Sequence, residues 1–371
     1  MDEHESKQGV GQGGDVASQT LGEWFERSER GDGGSFDEAA MVREVQAGMR
    51  CSTPTAAALF VMVRGQVVAE WYGGPGGLEA TATDGRSRFN VYSVRKSFIG
   101  LVAASLVHKG GLPGLDEPVR DYFDGVDRQT LALTSLRHLV THTHGLEETA
   151  NGVSRRHAAG ERWHYNNAGV TLLCRMIEKL TGETVADHLD KLVLRPFGFG
   201  ETGFETAAKP TLVPDANLFG RSMPFVLGVA DGAGRNLYMS ARELCAWGHL
   251  HLCALDPTLP QPGWRLDAGL RDALAMSVAV QTPASLDRRL PRQGFFWWMQ
   301  QAGGRGGEIG SLVPPNSAQM VGQSGCLCLV VPALSLVAVR MYNGVFNRLT
   351  FVAQARAFGD ATVRALRRHT P

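Results

Sequence analysis

A chain of 371 residues with 43% hydrophobic and 20% charged side chains is long enough to bury a sizeable core and has an ordinary globular composition. Its 37 basic and 37 acidic side chains cancel, which excludes the basic footprint expected of a protein that binds nucleic acid or an anionic membrane surface. The start, Met1 to Lys7, is acidic and lacks an apolar core segment, and no run of about 18 apolar residues occurs; a cytoplasmic protein without a membrane partner is expected.

In chain order, residues 1–35 are rich in Gly, Ser, Asp and Glu, with one amphipathic patch at Leu21, Trp24 and Phe25, and read as a flexible N-terminal arm. Phe36 to Met49 reads as a surface helix. Ala57 to Val63 and Gln66 to Tyr72 are apolar, β-branched runs joined at Arg64-Gly65, the signal of an antiparallel hairpin. A glycine-rich loop follows. Then a short apolar run ends at Ser93 and a helical period begins at Phe98, Leu101, Val102 and Leu106. Ser93 is expected to cap a buried helix that carries Lys96 in its first turn and stops near Lys109-Gly110-Gly111.

Residues 116–234 read as a helical subdomain, with a short helix from Leu136 stopping at Gly145, a longer one over Asn167 to Leu180, and another over Val185 to Leu194. It is inserted into a sheet domain formed by 36–115 and 235–371. Strand character returns at Gly294 to Met299, Ala318 to Val321, Leu327 to Val331 and Leu336 to Met341, and Phe351 to Arg368 forms a terminal amphipathic helix. Gly303 to Gly307 does not fit G-x-G-x-x-G and reads as a loop without a nucleotide.

The six cysteines are scattered through apolar segments, as reduced core thiols are. Cys245, His249 and Cys253 recur every four residues on a predicted helix, too spread out for one ion, and Cys326 with Cys328 supplies only two thiols on one strand face. No metal site is expected.

The chemistry centres on Ser93 and Lys96. Residues three apart on a helix share a face, so the amine can reach the hydroxyl. A serine becomes nucleophilic when a base takes its proton, and burial near the positive end of a helix makes lysine neutral enough to serve. An N-cap serine followed by a surface lysine would give the same two residues, so the downstream motifs matter. Tyr165-Asn166-Asn167 places a tyrosine two residues before an asparagine at a helix start, and Gly322-Gln323-Ser324-Gly325-Cys326 joins two strands. Leu139 to Leu146 lies between these and the Ser93 helix.

In this order the motifs resemble those of the serine hydrolases of the class C beta-lactamase and penicillin-binding family, which includes esterases, D-amino-acid peptidases, 6-aminohexanoate-dimer hydrolases and some acyltransferases. Leu194 to Phe199, Thr202 to Phe204, Met239 to Leu244 and Val339 to Asn343 are similar to further family landmarks, so the likeness runs over residues 55–345. It implies an α/β (α+β) beta-lactamase/transpeptidase-like fold, an antiparallel sheet flanked by helices with a helical insertion, and it requires no cofactor. It also implies roles. Ser93 would be acylated, Lys96 would accept or relay its proton, and Tyr165, its pKa lowered by a cationic lysine, would join Lys96 as base and then protonate the leaving group. Asn167 would bond Lys96 or the acyl side of the substrate, and the backbone N–H groups of Ser93 and Cys326 would form an oxyanion hole.

At the third motif beta-lactamases and peptidases have Lys-Thr-Gly, where this chain has Gln323-Ser324-Gly325. Without that cation an uncharged ester or amide is the better substrate, ahead of a beta-lactam or D-peptide. His144 stands where the family usually has serine and either faces the cleft or braces its loop; His138 and His142 read as structural. Trp297 and Trp298 wall an acyl pocket, or one of them packs in the core, since strand neighbours point to opposite faces. An acyltransferase using the same residues, a non-catalytic binding relative, and an α/β-hydrolase with Ser324 as nucleophile are the competing readings.

Overall fold

The structure is a computed structural model and describes residues 21, 25, 36–50, 53–74, 81–150, 152–261, 264–302, 309–344 and 348–366, with no side-chain description for 348–350. Most of the proposed N-terminal arm and the Gly303–Gly307 loop lie outside the described residues. The first half of the chain forms α1 (Glu38–Met49), β1 (Ala57–Val63), β2 (Gln66–Gly73), β3 (Phe89–Asn90), α2 (Arg95–His108), α3 (Leu136–Val140), β4 (Leu146–Thr149), β5 (Gly152–Arg155) and α4 (Ala168–Thr181). The second half forms α5 (Val185–Leu189), β6 (Gly203–Phe204), β7 (Leu237–Met239), α6 (Ala241–Leu255), α7 (Ala268–Ser277), β8 (Trp298–Met299), β9 (Ala318–Val321), β10 (Leu327–Val331), β11 (Leu336–Tyr342) and α8 (Arg348–Ala365).

The main sheet has the order β2-β1-β11-β10-β9-β8, with antiparallel pairing throughout. Its register places Ala57 opposite Tyr342 and Leu327 opposite Arg340. Both faces are covered. On β1, Ala58, Phe60 and Met62 belong to a core shared with α2, α6 and α7, while Ala57, Leu59 and Val61 belong to a second core shared with α1 and α8. A strand buried on both sides has no polar face, which is why the sequence shows continuous apolar runs there. Arg64 and Gly65, both at positive φ, make the tight turn between β1 and β2.

Helix α2 is buried at every position from Arg95 to Ser105, as a helix apolar on all sides must be. Phe98 stacks on Trp247 with ring centroids 4.0 Å apart, and the Trp247 indole donates to Ser97 Oγ at 3.0 Å. Gly100 is where the chain of Phe295 crosses: a Cβ there would lie 2.5 Å from the Phe295 carbonyl oxygen.

Three local expectations are corrected. Gly294 to Phe296 is not strand: Phe296 has φ of 66° and its N–H donates to Val140, so the segment bends to bridge α3, and β8 is only Trp298–Met299. Residues 190–194 form a wider π turn after α5. Between α3 and α4 the chain contains the β4-β5 hairpin as well as helices. Among the described residues no helix is long and apolar enough to cross a membrane.

Candidate active site

Ser93, the candidate nucleophile, is held on a strained elbow. β3 pairs with β7, and the Val91 N–H donates to Leu237. Asn90 then turns its side chain back to accept from the Tyr92 N–H at 2.9 Å, and Tyr92 takes φ of 44°, a conformation a bulky residue adopts only when its surroundings impose it. The Tyr92 hydroxyl donates to Asp215 at 2.6 Å, fixing the far end of the same side chain. Ser93 therefore sits inside a 3₁₀ turn, Tyr92–Val94, and the N-cap of α2 is Val94. This corrects the expectation that Ser93 caps the helix, although Lys96 remains three residues on and one turn below.

Lys96 is 1% exposed. Its Nζ donates to Ser93 Oγ at 3.0 Å and to the Tyr165 hydroxyl at 2.7 Å. Burial, reinforced by the positive charges of Arg95 and Arg235, holds the amine well below the usual lysine range. The Tyr165 ring is 36% exposed at the cleft, yet its hydroxyl turns inward to Lys96. Burial pushes that phenol up; contact with Ser93 and the nearby Arg95 and Arg235 oppose the shift without cancelling it. The expected lowering of Tyr165 is thus reversed, because burial outweighs the opposing contacts.

Tyr165 is positioned from two sides. The His164 N–H donates to the His142 carbonyl at 2.9 Å, and the His142 ring packs 4.4 Å from the Tyr165 ring. Trp298 stacks on the other side at 6.2 Å and 18°. Asn167 is the N-cap residue of α4 and lines the cleft, where Lys96 is not among its hydrogen-bond partners. Asn166, unremarked in the sequence, ties the segment down: its Nδ2 donates to the Leu146 carbonyl at 2.8 Å and its Oδ1 accepts from the Ala168 N–H at 2.9 Å.

The third motif forms the turn between β9 and β10. Gly322 abuts the elbow so closely that a Cβ would lie 2.3 Å from the Val91 carbonyl oxygen, and Gly325 has φ of 89°. Gln323 projects into the cleft. Ser324 does not: it is buried, its Oγ donating to the Asn90 carbonyl at 3.1 Å, so it pins the turn to β3 and has no access for nucleophilic attack. The Cys326 thiol is also buried, against the carbonyls of Asn90 and Tyr342.

Two candidate pocket residues are corrected. Trp297 is fully buried and packs edge-on against His251 at 4.9 Å, leaving Trp298 alone of the pair beside Tyr165. His144 is buried too; its Nδ1 accepts from the Leu146 N–H at 3.0 Å, and desolvation drives its pKa down to about 3, so it braces its loop as a neutral ring. His138 caps α3 through Ser135. His249 and Cys253 face each other at 3.3 Å inside α6, and no cluster of three or more metal-ligating side chains occurs among the described residues.

The cleft, about 560 Å³, is lined by Ser93, Tyr165, Asn167 and Gln323 and also by Arg95, Arg235, Glu147 and Glu148. The sequence reading missed these four charged residues. Arg95 lies inside the S-x-x-K motif and was legible in principle; Arg235 and the two glutamates reach the cleft only through the fold.

Comparison with known proteins places this geometry. The Beta-lactamase family model matches residues 41–361. An uncharacterised protein of Alkalihalophilus pseudofirmus is 31% identical over 341 residues, covering 89% of this chain and 96% of that one. Esterase EstB of Burkholderia gladioli is 30% identical over 155 residues, 32% of this chain and 39% of the esterase. A solved class C beta-lactamase superposes with a TM-score of 0.69 at 17% identity, over 89% of this chain and 98% of its own. With the family model spanning most of its length and the antiparallel sheet and helices arranged as in that fold, the chain belongs to the beta-lactamase family of serine hydrolases.

Proposed function

We propose that the protein cleaves a small ester or amide through an acyl-Ser93 intermediate. The observation that carries this reading is the single amine of Lys96 bridging the Ser93 and Tyr165 hydroxyls at the floor of an open cleft. The neutral amine takes the Ser93 proton as Oγ forms its bond to the substrate carbonyl carbon. The oxyanion so formed is stabilised by the backbone N–H groups of Ser93 and Cys326, the pair that the resemblance assigns. Tyr165, a phenol at rest, gives its proton to the departing oxygen or nitrogen and recovers one from the Lys96 ammonium, so the pair ends as it began. In deacylation water attacks the ester, its proton passes to Lys96, and Ser93 leaves with a proton returned. Asn167 and Gln323, on the cleft walls, orient the substrate. The match to esterase EstB supports an ester as donor.

The test is intact-mass analysis after incubation with para-nitrophenyl esters, short amides and a cephalosporin. An adduct on Ser93 from an ester or amide is the expected result; labelling elsewhere, or none under turnover, overturns it. A new ester formed when an alcohol acceptor is added would reassign the acceptor from water to alcohol.

A further inference from the structure

We propose that Arg235 and Arg95 form an anion subsite in the cleft, so that the preferred substrate carries a carboxylate held by Arg235. This deepens the hydrolase reading and rests on it. Arg95 is 4% exposed, yet its Nε makes no hydrogen bond, and its terminal nitrogens reach only the carbonyls of Tyr92 and Ala233 at 3.5 and 3.4 Å. Among the described residues no carboxylate pairs with it. A buried guanidinium without a counter-ion is costly to fold around, and long contacts to two carbonyls do not offset that cost.

Arg235 stands on the wall of the same cleft, exposed, and likewise has no ion-pair partner among the described residues. Buried Arg88 is matched by Glu205, and buried Arg292, which also has no ion pair among the described residues, reaches the Leu286 carbonyl at 2.8 Å, closer than either contact of Arg95. Here Arg95 and Arg235 line one cavity, close enough for Arg235 to oppose the charge on both Arg95 and the buried Lys96. Neither acid in the cleft forms an ion pair with them. Glu147 pairs with Arg156, and Glu148 accepts from the Thr171 hydroxyl at 3.0 Å.

The missing partner is therefore an anion that arrives with the substrate. A guanidinium presents a planar fork matched to a carboxylate, and Arg235, being exposed, is free to close on it. Arg95, fixed beneath, strengthens the local positive field. The cation absent from the third motif is thus supplied from a different wall of the cleft, and the reading that an uncharged substrate fits best is replaced by one in which charge is matched at Arg235.

The experiment compares three esters: 4-nitrophenyl pentanoate, its near-isostere 4-nitrophenyl hydrogen glutarate with a carboxylate on the acyl side, and the pentanoate of 4-hydroxy-3-nitrobenzoate with one on the leaving group. The wild-type protein is expected to favour one anionic ester over the neutral one. Arg235→Ala should lower that anionic-to-neutral ratio of kcat/KM about 10- to 100-fold, the loss of a charge-assisted hydrogen bond, and Arg235→Lys should restore part of it. Because truncating buried Arg95 can disturb folding, Arg95 is tested as Arg95→Lys, expected to give a smaller fall in the same ratio. Equal rates on all three esters, or an equal change on all three in Arg235→Ala, overturns the proposal. If no ester acylates Ser93, the hydrolase reading fails by itself. The subsite is then judged by calorimetry with glutarate: binding lost in Arg235→Ala supports it, and no binding to wild type overturns it.

Discussion

Lys96 and Arg235 are basic side chains of one site, built in different ways. Lys96 is 1% exposed, at the foot of a helix packed on every side, with both of its hydrogen bonds going to hydroxyls. Arg235 stands at the rim, exposed, ahead of β7. Burial sets the protonation of the first, because desolvation disfavours its charged form. The second faces the solvent side of the cleft, where the proposed carboxylate arrives. The floor of the site is thus a device for losing charge and the rim a device for presenting it, and substitutions should separate the two.

The largest effects are expected at the floor. Ser93→Ala and Lys96→Met should each lower kcat by about 10³- to 10⁶-fold, as for groups that act as a unit, while thermal melting of Lys96→Met stays level or rises, since an amine desolvated without a counter-ion is replaced by a methyl thioether. A melting temperature that collapses with the activity would make Lys96 a structural residue. Tyr165→Phe should cost about 10²- to 10⁴-fold in kcat; retention of wild-type turnover would remove the phenol from the proton path.

Two neighbouring tryptophans give the next contrast. Trp297→Ala should destabilise by about 3–5 kcal/mol, the cost of emptying a packed site. Trp298→Ala should leave stability within about 0.5 kcal/mol and raise KM. Denaturant unfolding beside steady-state kinetics distinguishes them, and equal stability losses would contradict the assignment.

The pH response follows from the same difference. With Lys96 as the proposed base, active only when neutral, kcat/KM should rise with pH through its depressed pKa and reach a plateau below the ordinary lysine range. Arg235→Ala, by removing a positive charge, should raise that pKa and move the acidic limb to higher pH; a limb that stays put would disconnect rim from floor. Stability has its own dependence. His144 and His251 are held neutral, at about 3 and about 4 against 6.5 when unfolded. The unfolded chain binds protons first, so stability should fall as pH drops from about 6.5 towards 4. The smallest effect is expected at Ser324→Ala, where one hydrogen bond worth about 1 kcal/mol is lost and activity should fall less than tenfold; loss to background would revive Ser324 as a nucleophile.

Period and turn chemistry made the framework legible. The hairpin at Arg64-Gly65, the long helix closed by Gly182 and the meander at the C-terminal end each follow from local pattern. What escaped were places where distant chain segments decide. Phe296 leaves the strand its composition suggests because its N–H is taken by Val140, and Ser93 moves from the cap position into a 3₁₀ turn because Tyr92 is tethered at both ends.

By itself the sequence determined the residues one helical turn apart that can share a proton, because a three-residue spacing is a local geometric fact. It also determined the β1-β2 hairpin, since two apolar, β-branched runs meet at Arg64-Gly65. Only the tertiary structure decided that the amine lies beneath Tyr165, that Ser324 faces inward, and that Arg95 and Arg235 meet in one cavity without a carboxylate. Those outcomes depend on which surfaces lose water together, and desolvation is set by the whole assembly of segments rather than by any one of them.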